Sequence, residues 1–260
     1  MQAVAREAGL SVLTFHSIST EAGPTSIDAA TFRMQMDVLA ESGFASMSCQ
    51  EFLDWRHGRA KSAAKRVLIT FDDGFADFAT EAFPVLRERN FSCLVFVPTG
   101  KIGQREDWRG AHAPPRPLMS WSTLSDLARA GVEFGGHGVV HADLTRLSPE
   151  QRRQEIERCA QDLAEHTGRP PRSFAAPYGR VNRAVLADLA RTYEAAFGTR
   201  FDRARATCNL FDVPRIEMHY FRKPRHWRAF VRGDRSYFLA RRALRAVKTT
   251  ASSAARAILD

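Results

Sequence analysis

The chain of 260 residues is long enough for one barrel-sized α/β domain, and its apolar fraction of 44% is that of an ordinary globular protein. Its four cysteines lack Cys-x-x-Cys spacing, which argues against a disulfide framework or a zinc ribbon. The formal net charge of +9 is carried entirely by residues 222–260, which contain eleven Lys or Arg and two Asp.

Strand and helix signals alternate along the chain, as an α/β fold requires. They predict strands at residues 10–15, 66–71 and 132–136, a strand that begins at Phe91 and a last strand that begins at Val213. They predict helices from Asp28 to Gly43, Gln50 to His57, Ala76 to Asn90, Pro149 to about Thr167 and Arg183 to Thr192. Residues 101–117 are predicted to form a long loop over one rim of the fold.

Two acids and two histidines directly follow predicted strands. Asp72 and Asp73 stand at the mouth of a buried strand, where acids are costly unless something binds them. His137 and His141 are four residues apart, so both are able to face one metal ion. One aspartate then completes a set of two His and one carboxylate, and the other is placed to act as a general base. Each motif alone is more often a solvated turn or a pair of unrelated histidines, but their joint occurrence favours a metal site.

These motifs resemble those of the polysaccharide deacetylase family, which shares the NodB-homology domain (carbohydrate esterase family 4). The resemblance covers about residues 10 to 218. Its three motifs are similar to Thr70–Gly74, His137–His141 and Phe174–Gly179, and the stretches between them are similar at Phe83–Leu86, Phe91–Val97, Met119–Trp121 and Leu124. The resemblance implies a distorted (β/α) barrel and the metal-dependent removal of N- or O-acetyl groups from a carbohydrate.

The resemblance also implies roles for individual residues. Asp73, His137 and His141 are expected to hold a divalent metal, with zinc the first expectation, and Asp72 is expected to take a proton from the attacking water. The backbone N–H of Tyr178 is expected to stabilise the tetrahedral oxyanion.

Three departures from the family pattern bear on these roles. Gly138 stands where the second motif usually has Ser or Thr, and Ala175 stands where the third motif usually has an Arg that pairs with the catalytic Asp. Arg215, at the start of the last predicted strand, is our candidate for the missing partner of Asp72, and a surface salt bridge is the alternative. The family's final Leu-x-His motif is not clearly present, so His219, a weak match, and His16, at the end of the first strand, are rival candidates for the general acid.

Residues 222–260 are predicted to be a basic helical tail that follows a catalytic domain of residues 1–221. From Ala240 an apolar stripe recurs at helical spacing, formed by Leu244, Val247, Ala251, Ala254 and Ile258. A basic amphipathic helix is typical of peripheral contact with an anionic membrane, and the alternatives are a closing helix packed on the barrel or a disordered end. A nucleic-acid partner is not expected, since the metal-site motifs give no reason for one.

The expected location is the cytoplasm, with a peripheral position at the inner face of the membrane. No stretch approaches the roughly 20 apolar residues that cross a bilayer. The first nine residues do not resemble a secretory signal, and the apolar run after them fits the first strand better.

The sequence therefore predicts a metal-dependent deacetylase acting on an N-acetylated sugar in a polysaccharide or a lipid-linked glycan precursor. Two alternatives remain open at this stage. One is a degenerate member of the family that binds glycan without turnover, and the other is an iron oxygenase with two His and one carboxylate as ligands.

Overall fold

The computed structural model describes residues 9–257, except residues 22, 24, 60–62 and 109–113. Its strands are β1 Ser11–Phe15, β2 Ser17–Ile18, β3 Ser26–Ile27, β4 Ala45–Ser46, β5 Arg66–Phe71, β6 Leu94–Val97, β7 Glu133–Gly136, β8 Ser173–Ala175, β9 Ala195–Phe201 and β10 Val213–Glu217. Its helices are α1 Ala29–Glu41, α2 Cys49–Arg56, α3 Phe83–Glu88, α4 Trp121–Arg129, α5 Pro149–Thr167, α6 Arg183–Thr192, α7 Pro224–Val231 and α8 Ser236–Ala257.

Within the described residues, seven parallel strands close into a barrel in the order β1, β5, β6, β7, β8, β9 and β10, and β10 pairs with β1 to complete the ring. The short strand β4 pairs with the start of β5, and β2 and β3 form a separate pair. Because the strands of the ring are parallel, their carboxyl ends lie at one rim, where side chains from different strands converge. The prediction of a distorted (β/α) barrel is confirmed.

Residues of strand β5 alternate between two apolar clusters. In β5, Val67, Ile69 and Phe71 pack in the cluster that includes the helices around the ring. Leu68, which points the other way, joins Phe96 and other strand residues in the second cluster. This alternation directs one face of each strand toward the centre of the barrel and the other toward the surrounding helices.

The predicted helix from Ala76 to Asn90 is a π-helical turn, Phe78–Ala82, that leads into α3. Pro84 explains the irregularity, because it has no N–H group to donate to the turn before it. The N–H group of Phe83 instead donates to the carbonyl of Phe78, which is the wider spacing of a π turn.

The first part of residues 222–260 packs against the barrel. Trp227 of α7 and Phe238 of α8 are both buried in the apolar cluster that contains Val67, Ile69 and Phe71 of β5. The indole N–H of Trp227 donates to the carbonyl of Gln35 in α1 at 2.9 Å. The division of the chain at residue 221 stays a prediction, but these contacts show that the part after it supplies core side chains.

Helix α8 begins at Ser236, four residues before the predicted start of the apolar stripe. Within that stripe, Leu244 and Val247 are 58% and 68% exposed. Ala251 and Ala254 lie in the helix, where only the backbone is described, and Ile258 lies outside the described residues. Among the described helices, none has the length and apolar character needed to cross a membrane.

Candidate metal centre and active site

Asp73, His137 and His141 converge at the rim formed by the carboxyl ends of the strands. Asp73 follows β5, whereas both histidines lie in the loop that follows β7. The Oδ1 atom of Asp73 lies 3.2 Å from Nε2 of His137 and 3.3 Å from Nε2 of His141. All three residues are buried, and one ligand atom from each lies within 4.8 Å of the other two. The barrel thus brings together the three residues that the sequence suggests as metal ligands.

Two of these residues adopt left-handed backbone conformations, with φ of 72° for Asp73 and 59° for His141. Residues other than glycine rarely adopt such values, and they cost about 1–3 kcal/mol that the surrounding structure must offset. Such strained residues cluster at functional sites, so the backbone itself marks this rim as a candidate site.

The donor set fits a divalent metal. The Nδ1 atom of His137 lies 2.7 Å from the carbonyl oxygen of Ala175, which only accepts hydrogen bonds, so Nδ1 carries the proton. The Nε2 atom of His137 is therefore left with a lone pair directed toward Asp73. A backbone carbonyl that accepts from the other ring nitrogen and so orients a ligating imidazole is usual in metal sites. Two imidazole nitrogens and one carboxylate also match the three protein ligands of catalytic zinc centres.

Asp72 forms a bidentate ion pair with Arg215 of β10. Both Asp72 oxygens lie 2.7 Å from guanidinium nitrogens, and both side chains are buried. Arg215 also donates to the hydroxyl of Thr70 at 3.2 Å and to the carbonyl of Gly198 at 2.9 Å. Burial opposes ionisation of Asp72, but the charge and hydrogen bonds of Arg215 outweigh it and lower the pKa of Asp72. Asp72 is thus held as a carboxylate next to the ligand cluster.

His16 lies beside Asp72, with Nε2 at 3.9 Å from Oδ2 of the aspartate. On its other side, Nδ1 of His16 lies 3.8 Å from Oε2 of Glu217, a carboxyl whose pKa is raised by burial. His219 instead directs its Nδ1 toward the carbonyl of Ser26 at 3.3 Å. Of the two histidines considered as general acid, His16 is therefore the one in contact with Asp72.

Two aromatic rings enclose His141. The ring of Tyr178 meets it edge-on at a centroid distance of 4.7 Å, and Tyr178 has a left-handed φ of 60°. The ring of Trp108 stacks on that of His141 at a centroid distance of 4.3 Å. Neither Trp108 nor Glu217 is predicted as a site residue, because each reaches the site through the fold. The one signal that could have indicated Trp108 is its position as an aromatic residue inside the predicted long loop 101–117.

Comparison with known families and proteins agrees with this geometry. The sequence pattern of one family, described as polysaccharide deacetylase, matches residues 59–195. The poly-beta-1,6-N-acetyl-D-glucosamine N-deacetylase of Escherichia coli K12 is 28% identical over 245 residues, which is 80% of this chain and 36% of that protein. The enzyme of the same description from Staphylococcus aureus is 23% identical over 216 residues, which is 78% of this chain and 71% of that protein.

A solved structure shows the same fold. IcaB from Ammonifex degensii superposes with a TM-score of 0.72 at 26% sequence identity. The match covers 88% of this chain and 97% of that one, so it includes the barrel and nearly all of the relative. The chain spans only about a third of the length of the Escherichia coli relative, 36%, so that protein has regions with no counterpart in the match.

Proposed function

The chain belongs to the polysaccharide deacetylase family, and from this premise we propose that it hydrolyses the acetamide group of N-acetylated sugar residues in a glycan. The family assignment confirms the predicted family and the prediction of a carbohydrate deacetylase. The observation that carries the proposal is a buried cluster of Asp73, His137 and His141 next to the ion pair of Asp72 and Arg215.

In this proposal Asp73, His137 and His141 hold a divalent metal, for which zinc is the first expectation. Their nitrogen and carboxylate donors suit zinc, and three protein ligands leave positions open for water and substrate. When bound, such a metal supplies a Lewis acid that polarises the acetyl carbonyl and lowers the pKa of a water ligand.

Asp72 is proposed as the general base. Its carboxylate accepts a proton from the attacking water, a step that requires Asp72 to be ionised and correctly oriented before substrate arrives. Arg215 supplies both requirements, because it lowers the pKa of Asp72 and fixes the plane of the carboxylate through two hydrogen bonds. The family's third motif usually has an Arg that pairs with the catalytic Asp, and Ala175 stands at that position here. We assign this positioning role to Arg215.

The backbone N–H of Tyr178 is proposed to donate to the oxyanion that develops on the acetyl group. The left-handed conformation of Tyr178, with φ 60° and ψ 5°, turns the chain sharply beside the ring of His141. A backbone donor fixed in this way costs no reorganisation during the reaction, which is why such donors are effective in oxyanion sites.

His16 is proposed to protonate the departing amine, which is a poor leaving group without a proton. His16 contacts Asp72, whereas the pKa of His219 is lowered by burial and by the nearby charges of Arg222 and Arg241. A lowered pKa makes His219 a poor carrier of the required proton near neutral pH.

The dependence of the rate on the leaving group should distinguish His16 from His219 as the general acid. His16→Ala should lower acetate release from an N-acetylated sugar by about 10²- to 10⁴-fold, the range for a lost general acid. The loss should shrink for an acetyl ester with an activated phenolate leaving group, which departs without protonation. His219→Ala should leave both rates close to those of the unchanged protein. If His219→Ala gave the larger loss, with the same dependence on the leaving group, the two roles would be exchanged.

Named relatives guide the proposed substrate. Two of them are described as deacetylases of poly-β-1,6-N-acetyl-D-glucosamine, so we place N-acetylhexosamine polymers first and lipid-linked N-acetylated glycans second. Acetate release should be screened on free, polymeric and lipid-linked N-acetylhexosamines and on O-acetylated sugars. If acetate were released from the O-acetylated sugars alone, the proposed activity would be ester hydrolysis and not amide hydrolysis.

A non-catalytic glycan-binding role is the second candidate, and the departures at Gly138 and Ala175 are what favour it. Such a protein would bind metal and sugar without releasing acetate. An iron oxygenase is less well supported, because Asp72, its Arg215 partner and the turn at Tyr178 have no evident task in it. That function would require oxygen consumption with iron bound.

We also propose a cytoplasmic location with peripheral contact to an anionic membrane through α8. Leu239, Leu244 and Val247 of this helix are exposed by 46%, 58% and 68%. Arg242 of α8 pairs with Asp202 at 3.1 Å, and Arg245 donates to the carbonyl of Thr199 at 3.3 Å, so both face the barrel. Up to Val247, the outward face of α8 is thus apolar, and it follows a stretch rich in exposed cations at Arg222, Lys223, Arg225, Arg228, Arg232 and Arg235. Exposed apolar residues beside clustered cations are typical of helices that bind anionic lipid surfaces.

A surface variant tests this contact without removing core side chains. Replacing Leu239, Leu244 and Val247 together with serine should weaken sedimentation with anionic liposomes and leave thermal stability nearly unchanged. The unchanged protein should bind anionic but not neutral liposomes, and salt should weaken binding, since each basic residue near the surface contributes about 1 kcal/mol. Deleting residues 222–260 is a poorer test because Trp227 and Phe238 are buried. Equal sedimentation of the unchanged protein with neutral liposomes, or none with either kind, would contradict membrane contact.

A further inference from the structure

The loop that carries His137 and His141 closes around the carboxylate of Glu155, a buried residue of α5. The Oε2 atom of Glu155 accepts hydrogen bonds from the N–H groups of Val139 at 2.8 Å and Val140 at 3.1 Å. Both donors lie between the two histidines in sequence. Hydrogen bonds to a carboxylate are about twice as strong as those between neutral groups. These two hydrogen bonds therefore constrain the backbone of the loop strongly.

Gly138 is shaped to this contact. Its φ of 81° lies in the left-handed region, and a Cβ atom at this position would lie 2.8 Å from Oε2 of Glu155. The carboxylate therefore occupies the space that a side chain at position 138 would need. The absence of a hydroxyl at Gly138, a departure from the family's second motif, coincides with a buried acid that binds the same loop from outside it.

The other side of the loop is held by backbone donors. The N–H of Thr99 donates to the carbonyl of Gly138 at 3.0 Å, and the N–H of Gly100 donates to the carbonyl of Val139 at 2.8 Å. The carbonyl groups of Gly138 and Val139 are thus bound by the segment after β6, and the N–H groups of Val139 and Val140 are bound by Glu155. His141, with its left-handed φ of 59°, directly follows these residues, which are bound from both sides.

We propose that Glu155 is a positioning residue of the metal centre, which fixes the loop 137–141 so that both imidazoles face Asp73 before the metal binds. This role rests on the proposed function only through the metal site. Without the carboxylate, the N–H groups of Val139 and Val140 lose their acceptor and the His141 side chain loses its fixed position relative to His137. Removal of outer groups that orient metal ligands typically costs 10- to 100-fold in metal affinity, and we expect a loss of that size.

The test compares three substitutions in α5 by calorimetric titration of the metal-free protein with Zn²⁺. Glu155→Met keeps the side-chain volume but removes the acceptor, and it should weaken Zn²⁺ binding by about 10- to 100-fold. Glu155→Gln keeps one oxygen acceptor and should recover part of that loss. Glu157→Met, at an exposed position of the same helix, is the matched control and should bind Zn²⁺ as the unchanged protein does.

The titration with Zn²⁺ separates the positioning role of Glu155 from the metal centre and from the proposed activity. Unchanged Zn²⁺ affinity in a folded Glu155→Met protein would overturn the positioning role. If Glu155→Met does not fold, Glu155→Asp is used in its place. Aspartate is shorter by one methylene group, so its carboxylate is withdrawn from both N–H groups while the charge stays. Unchanged Zn²⁺ affinity in Glu155→Asp would also overturn the positioning role. Failure of the unchanged protein to bind Zn²⁺ would overturn this role together with the metal centre. Intact binding without acetate release would overturn only the proposed activity.

Discussion

Replacing His137 or His141 with alanine is expected to strip the divalent metal from the protein and abolish acetate release. Each histidine supplies one of three converging donors, and Asp73 is the third. With two donors left, the site loses an imidazole ligand and the three-donor geometry that hold a metal against solvent. The expected loss is at least about 100-fold in metal affinity, beyond the range found when only an outer group is removed.

Metal content measured by atomic absorption after gel filtration checks this expectation. His166→Ala is a suitable control, since His166 is an exposed histidine stacked on Trp121 at 4.0 Å in another part of the fold. It should retain the metal and the activity of the unchanged protein. Full metal occupancy in His137→Ala or His141→Ala would remove that residue from the ligand set.

Asp72→Asn is expected to retain the metal and lose most turnover. The amide keeps the size of the side chain and an oxygen that faces Arg215, but it does not accept a proton from water. Loss of a general base costs about 10²- to 10⁴-fold in rate. Metal affinity should change little because both carboxylate oxygens of Asp72 contact Arg215, at 2.7 Å each, and Asp72 is not one of the proposed metal ligands.

Turnover and metal content of Asp72→Asn should be measured together. Loss of the metal in this variant would mean that Asp72 and Asp73 share or exchange their roles. Arg215→Lys is an informative companion, because lysine keeps the charge but not the planar fork that orients the carboxylate. It should lose activity in the same direction but by less. Near-normal activity in Arg215→Lys would assign Arg215 a charge-balancing role and not an orienting one.

Much of the fold follows from local sequence signals. Strand β5 is found at residues 66–71 as predicted, and α5 begins after Ser148, whose side chain forms a capping box with Gln151. Helix α6 also has its predicted bounds, with Asn182 accepting a hydrogen bond from the N–H of Val185. These elements are predictable because caps and short apolar runs act within a few residues of the chain.

The site was less predictable because it depends on which strands meet. The nearness of Arg215 to Asp72 follows from barrel closure, once the last strand is known to lie near the first motif. The choice between His16 and His219 does not follow, because both lie at strand ends near the same rim. Trp108 and Glu155 reach the loop of His141 from other segments of the fold, and no local pattern specifies contacts of that kind.

Acetate release from an oligomer of β-1,6-linked N-acetylglucosamine, measured as metal-free protein is titrated with Zn²⁺, tests the central claim most directly. A metal-dependent deacetylase built on Asp73, His137 and His141 predicts no acetate without metal. It predicts a rate that rises to a plateau at about one Zn²⁺ per chain, since the three ligands form one site. Each acetate should be matched by one new free amine. Acetate release that persists in the metal-free protein, or saturated Zn²⁺ and sugar binding with no acetate at all, would contradict it.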